Sequence, residues 1–104
     1  MAETKPDRLQ RLWDESRVMP FPPGFTQREP EGVCMAMVDT MLSGCVVSAL
    51  TGPLDDWRRG VLLARIEVLG KTLPSIADDE YATKYFALLY ESAVLAAELD
   101  AART

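Results

Sequence analysis

Seven prolines and six glycines interrupt the chain at positions that separate four stretches of helical pattern. Inside a helix, proline removes a backbone donor and clashes with the preceding turn, so it belongs in the first turn of a helix or between helices. The chain therefore predicts helices over about 6–16, 30–51, 54–73 and 78–102. The run Cys45-Val46-Val47 is the strongest strand signal, and it lies within a helical pattern. We expect an all-α fold, a bundle of three long helices with a short N-terminal helix.

A chain of 104 residues with 48% hydrophobic composition is the size of one domain and too apolar for wholesale disorder. Its predicted parts are the N-terminal helix (1–16), a proline-rich strap (17–29) and the bundle core (30–104). Three prolines between positions 20 and 23 favour an extended path. We expect Phe21 and Phe25 to anchor the strap in the protein's own core. The alternative is a docking peptide for an aromatic-lined groove on another protein.

The charge balance and the missing residue types exclude several functions. Sixteen acidic residues outnumber eleven basic ones, which argues against nucleic acid as a partner. The chain has no histidine, and it lacks the glycine-rich phosphate loops and the nucleophile motif of hydrolases. Cys34 and Cys45 have no metal-binding spacing, and we expect both to be small core residues. We expect no metal, no cofactor and no catalytic residue.

Neither export nor membrane insertion is expected. The first ten residues contain no apolar segment of the kind found in secretory signals, which favours the cytoplasm. The stretch from Val33 to Leu50 carries one charge, Asp39, and approaches the length of a membrane span. It also contains polar residues costly in lipid, and no basic cluster flanks it. We therefore interpret it as a central helix enclosed by protein.

The fourth helix carries more apolar surface than a surface helix of a small domain needs. Its a/d spacing resembles a coiled-coil seam about three heptads long. We therefore predict a homodimer, with an interface at Tyr81, Tyr85, Leu88, Leu95 and Leu99. The second choice is the second helix, where Thr40, Gly44 and Ser48 follow one another at intervals of four. The alternative is a monomer in which the strap and the first helix cover the surplus.

Three charged residues fall within apolar patterns. Arg58 and Arg65 project within the apolar arc of the third helix, and Asp39 is alone on the second. One interpretation is that the arginine stems cover apolar surface while their heads reach water. A second pairs Asp39 with one of the arginines. The third is a pocket in which Asp39, Arg58 and Arg65 bind a small anion. Arg59 is expected to pair with Asp55.

Short segments spread along residues 17–95 resemble a group of small uncharacterised all-α proteins from high-GC Gram-positive bacteria. They are Pro20-Phe21-Pro22-Pro23-Gly24-Phe25, Gly44-Cys45, Leu54-Asp55-Asp56-Trp57-Arg58-Arg59, Leu73-Pro74 and Tyr85-Phe86. The resemblance implies a bacterial cytoplasmic protein and brings no activity or catalytic position.

These observations together predict a non-catalytic interaction module, an accessory or regulatory subunit that pairs with itself and leaves room for another protein partner. The competing interpretation is a small-anion-binding helical protein, or a small enzyme, that uses Arg58, Arg65 and Asp39. A third is an acidic immunity or antitoxin-like protein, because a small acidic chain can mimic a polyanion. Convergence of the two arginines and Asp39 on one cavity would favour the second interpretation.

Overall fold

The computed structural model describes residues 3–103, and every regular element among them is helical. Four α-helices follow one another along the chain: α1 (Lys5–Arg17), α2 (Met35–Thr51), α3 (Asp56–Thr72) and α4 (Glu80–Ala101). Two short 3₁₀ turns, Pro30–Gly32 and Leu73–Ile76, precede α2 and follow α3. The predicted all-α class is confirmed for this part of the chain.

Local chemistry explains where three of the helices begin. The side chain of Thr4 accepts a hydrogen bond from the backbone amide of Asp7 at 3.2 Å. Asp55 and Asp79 cap α3 and α4 in the same way, at 2.7 and 2.9 Å. Because each of these two aspartates lies just outside its helix, α3 and α4 begin two residues later than predicted.

The start of α2 differs more from the prediction. The sequence places the helix start near Pro30, whereas α2 begins at Met35. Glu31 and Gly32 both have positive φ, 53° and 77°, and Val33 is extended. Two consecutive left-handed residues cannot continue a right-handed helix, so the chain makes one 3₁₀ turn and then starts again. Cys34 precedes the helix and is exposed, which corrects its expected place in the core.

α4 lies at the centre of the arrangement and contacts α1, α2 and α3. The described residues extend 37 × 31 × 18 Å, so the thinnest direction holds only two layers of helices. The core is formed mainly by Leu9, Met35, Leu42, Leu62, Leu69 and Phe86. A molecule this thin encloses one helix well and leaves the outer sides of α2 and α3 to solvent.

Candidate functional site

Three exposed apolar side chains lie on the outer side of α2 and the adjoining side of α3. The side chains of Met37, Val47 and Trp57 are 49%, 44% and 70% exposed. We call this surface the α2–α3 face; it comprises Met37, Thr40, Met41, Gly44, Val47 and Ser48 of α2 with Trp57 and Val61 of α3. Its centre is a groove of about 320 Å³, with Gly44 and Ser48 on one side and Trp57 on the other.

The sequence of α2 explains why this face remains outside the core. The residues of the face recur every three or four positions and share one side of the helix. The opposite side is buried in the protein through Val38, Leu42, Val46 and Ala49. Both sides are uncharged, so the sequence alone does not distinguish which of them faces the core.

Charge is confined to the edge of the groove. Arg58 pairs there with Asp55 at 2.5 Å, and both side chains are about half exposed. Cys45 lies on the floor of the groove, with its Sγ 3.6 Å from the backbone oxygen of Arg58. Burial raises the pKa of the Cys45 thiol, which keeps it protonated and unreactive. The groove is suited to contact rather than to covalent chemistry.

The predicted interface on α4 is largely occupied by the protein itself. Leu95 and Leu99 are buried in the core, and Leu88 and Tyr85 are half buried. Tyr81 is exposed, and its hydroxyl donates to the backbone oxygen of Pro20. A second copy could reach Leu95 and Leu99 only if the bundle opened. Exposed apolar side chains are found instead on α2, the second choice from the sequence.

Asp39 lines a different cavity, between α1, α2 and α4. Its carboxylate accepts hydrogen bonds from the hydroxyl of Tyr85 at 2.7 Å and from that of Ser43 at 3.2 Å. The cavity has a volume of about 190 Å³, and Trp13 and Arg17 of α1 also line it. Burial, followed by the hydrogen bond to Asp39, raises the pKa of Tyr85. Its hydroxyl therefore remains a donor at neutral pH.

The three residues proposed for an anion site do not come together. Asp39 faces the cavity near Tyr85, Arg58 lies at the edge of the groove, and Arg65 lines neither. Arg58 is already neutralised by Asp55. The convergence that would favour this anion site is absent among the described residues.

The two phenylalanines of the strap both contact α4. Phe25 is buried, with its ring 5.8 Å from that of Phe86 in an edge-to-face arrangement. Phe21 is half buried and makes similar contacts with Phe86 and Tyr85. Arg28, close to the end of the strap, pairs at 2.9 Å with Asp78, which lies just before α4. The strap thus lies along the N-terminal half of α4.

One buried charged residue, Asp100, lies near the C-terminal end of α4 and was not predicted from the sequence. Asp100 pairs with Arg59 at 2.6 Å, and it also accepts a hydrogen bond from the backbone amide of Leu54 at 2.8 Å. These contacts hold the pKa of Asp100 below its usual value, the bond from Arg59 being the main cause. Arg59 also pairs with Asp56, which corrects its expected pairing with Asp55. The sequence feature that could have revealed this buried carboxylate is its spacing, because Asp100 continues the apolar row of Phe86, Leu89, Ala93 and Ala96.

Membrane-spanning helices and metal-binding clusters are both absent from residues 3–103. No helix in this range combines the length and apolarity that crossing a membrane requires. The same residues contain no group of three or more Cys, Asp or Glu side chains arranged to hold a metal ion. No protein-family model, curated protein or solved structure matches the chain.

Proposed function

We propose that this chain is a protein-interaction module that forms a homodimer through the α2–α3 face. The observation that carries the proposal is the exposure of Met37, Val47 and Trp57 on this face, where Trp57 also lines the groove. Contiguous apolar surface of this kind, bordered by polar groups, is typical of an interaction site. Tryptophan and methionine are also enriched where proteins meet.

Charge favours this face over the rest of the surface for contact with a second copy. The chain carries a net charge of −5, so two copies repel one another over most of their surface. The part of α2 in the face bears no charged side chain, and Arg58 at the edge of the groove is neutralised by Asp55. Contact between two copies at this face therefore brings few like charges together.

The shape of the face also suits a two-fold contact. Gly44 and Ser48 leave little side-chain bulk on α2, so that a second helix can approach closely. The exposed indole of Trp57 stands beside the groove. In a two-fold dimer each groove faces the same surface of its partner, so each Trp57 can pack against the partner's α2.

The area that a stable dimer needs is a small fraction of the exposed surface. A stable interface buries at least about 1,200 Å² in total, or about 600 Å² for each copy. That is about one tenth of the 6046 Å² that this structure exposes. A tryptophan side chain alone supplies about 150–250 Å² when fully buried. Trp57 and the exposed side chains of α2 are the residues that a two-fold contact would bury to reach this area.

Multi-angle light scattering across micromolar concentrations tests the proposal. We expect a mass twice the 11.5 kDa of one chain. Val47→Glu should convert the dimer to a monomer, because it brings two carboxylates together at the two-fold contact. The matched control is Val18→Glu, which adds the same charge at a residue that is 81% exposed and outside the face.

Two results would contradict this function. One is a wild-type chain that remains at 11.5 kDa at all concentrations measured. The other is a dimer that resists Val47→Glu, or that both glutamate variants weaken equally. Circular dichroism of each variant verifies that the helices are intact.

A further inference from the structure

The cavity around Asp39 contains a carboxylate that no cation of the described residues neutralises. Asp39 is half buried, and its hydrogen bonds come from two neutral hydroxyls, those of Ser43 and Tyr85. A carboxylate partly removed from water is stabilised by a positive charge far more than by neutral donors. Each of its two oxygens accepts one bond from these hydroxyls, which leaves both with lone pairs for a further donor.

Three helices arrange polar and apolar groups around this carboxylate. α1 contributes Trp13, Ser16 and Arg17; α2 contributes Asp39 and Ser43; α4 contributes Tyr85 and Leu89; and Met19 closes one side. Ser16 and Arg17 follow Trp13 by three and four positions, and the pairs on α2 and α4 are four positions apart, so the residues of each helix face the same space. A site supported by three rigid helices is held more firmly than one formed by loops.

Arg17 provides the complementary charge at the rim. It is the last residue of α1 and exposed, and it lines the cavity without forming an ion pair with another described residue. Asp39 and Arg17 together make the cavity electrically neutral but give it two poles. A ligand with one positive and one negative group matches this arrangement, whereas a simple anion or cation leaves one pole unmatched.

The size of the cavity limits the ligand. Its volume of about 190 Å³ lies below the roughly 300–1,000 Å³ of pockets that hold drug-sized molecules. The apolar walls, formed by Trp13, Met19 and Leu89, suit a short hydrocarbon chain. The cavity therefore has room for a molecule of about the size of one amino acid.

We propose that the Asp39 cavity binds a small zwitterion of the α-amino-acid class. The ammonium group donates to Asp39, the carboxylate lies against Arg17, and an aliphatic side chain contacts Trp13 and Leu89. The hydroxyls of Tyr85 and Ser43 hold the Asp39 carboxylate in place. This proposal uses no residue of the α2–α3 face and is independent of the homodimer.

Three small molecules that share one branched hydrocarbon chain test the ammonium contact and the carboxylate contact separately. They are L-leucine, 3-methylbutylamine, which lacks the carboxylate, and 4-methylpentanoate, which lacks the ammonium. We expect titration calorimetry and the fluorescence of Trp13, in a Trp57→Phe background, to show binding of leucine. The amine and the acid should each bind at least tenfold more weakly.

Two variants test whether Asp39 binds the ammonium group and Arg17 the carboxylate. Asp39→Asn keeps the shape of the side chain and should reduce leucine binding at least tenfold. Arg17→Gln changes an exposed side chain, so the fold should be unaffected; it should weaken leucine binding and leave that of the amine unchanged. The control is Arg8→Gln, an exposed arginine of α1 that does not line this cavity.

The alternative to a ligand is that Arg17 itself folds over the cavity and pairs with Asp39. In that case Arg17→Gln lowers the free energy of unfolding and none of the three probes binds at millimolar concentration. Either the absence of leucine binding or equal binding of leucine and the amine would overturn the proposal. A loss of binding in Arg8→Gln as large as in Arg17→Gln would also overturn it.

Discussion

The carboxylate of Asp100 lies 2.6 Å from Nε of Arg59 and joins the end of α4 to the start of α3. The same carboxylate accepts the backbone amide of Leu54, while Arg59 donates to the backbone oxygen of Leu54 at 2.8 Å. One ion pair thus satisfies both backbone groups of Leu54, next to the turn between α2 and α3. A buried backbone group that loses its partner is costly, which makes this contact a structural one.

Asp100→Ala should lower the free energy of unfolding by about 2 kcal/mol, because it leaves the amide of Leu54 and the head of Arg59 without their carboxylate. Asp56→Ala is the matched control, since Asp56 also pairs with Arg59 but is fully exposed. Urea unfolding followed by circular dichroism should show no measurable change for the control. Equal losses in the two variants would mean that burial of Asp100 contributes nothing.

Tyr85→Phe should change how stability depends on alkaline pH. The folded protein holds the pKa of Tyr85 above its ordinary value of 10.0, mainly through burial and then through the bond to Asp39. The stabilisation that this hydroxyl provides is therefore complete below about pH 10 and is lost as the pH rises further. The variant should be less stable at pH 8 by about 1 kcal/mol. That difference should shrink above pH 10, and a difference that stayed constant to pH 11 would contradict the prediction.

Two glycines of α3 should respond differently to alanine. Gly60→Ala should raise the free energy of unfolding by about 0.5–1 kcal/mol, because alanine is the better helix former and nothing lies within 4 Å of the added Cβ. At Gly70 the Cβ would lie 3.2 Å from Cε2 of Tyr90. Gly70→Ala should therefore gain less, because the ring of Tyr90 has to shift. Thermal unfolding of both variants measures the difference, and a larger gain at Gly70 would show that the ring moves freely.

Much of the fold could be predicted from the sequence because proline, glycine and capping aspartates act locally. Asp55 and Asp79 mark the starts of α3 and α4 to within two residues. The break before α2 could not be predicted in this way. Pro30 is compatible with a first helical turn, and only the left-handed backbone at Glu31 and Gly32 prevents α2 from continuing back to it.

The sites were harder to predict because they depend on which helix faces which. The position of Asp39 in an apolar run marked it as unusual, but its partner Tyr85 is 46 residues away. The sequence predicts excess apolar surface on both long helices, yet α4 hides most of its share inside the bundle, and Met37 and Val47 of α2 are the side chains that stay exposed. Periodicity describes the faces of one helix, whereas the exposure of a face depends on the arrangement of all four.

Tyr85 contacts both the strap and the carboxylate of Asp39. Its ring lies edge-on against Phe21 of the strap, with the centroids 5.8 Å apart, while its hydroxyl reaches Asp39. A strap that lifts away removes one wall of that ring and frees the hydroxyl to swing. We therefore expect detachment of the strap, which starts at Val18 because α1 ends at Arg17, to be coupled to the order of the Asp39 carboxylate, so that amide exchange in residues 18–29 slows when Tyr85 is immobilised.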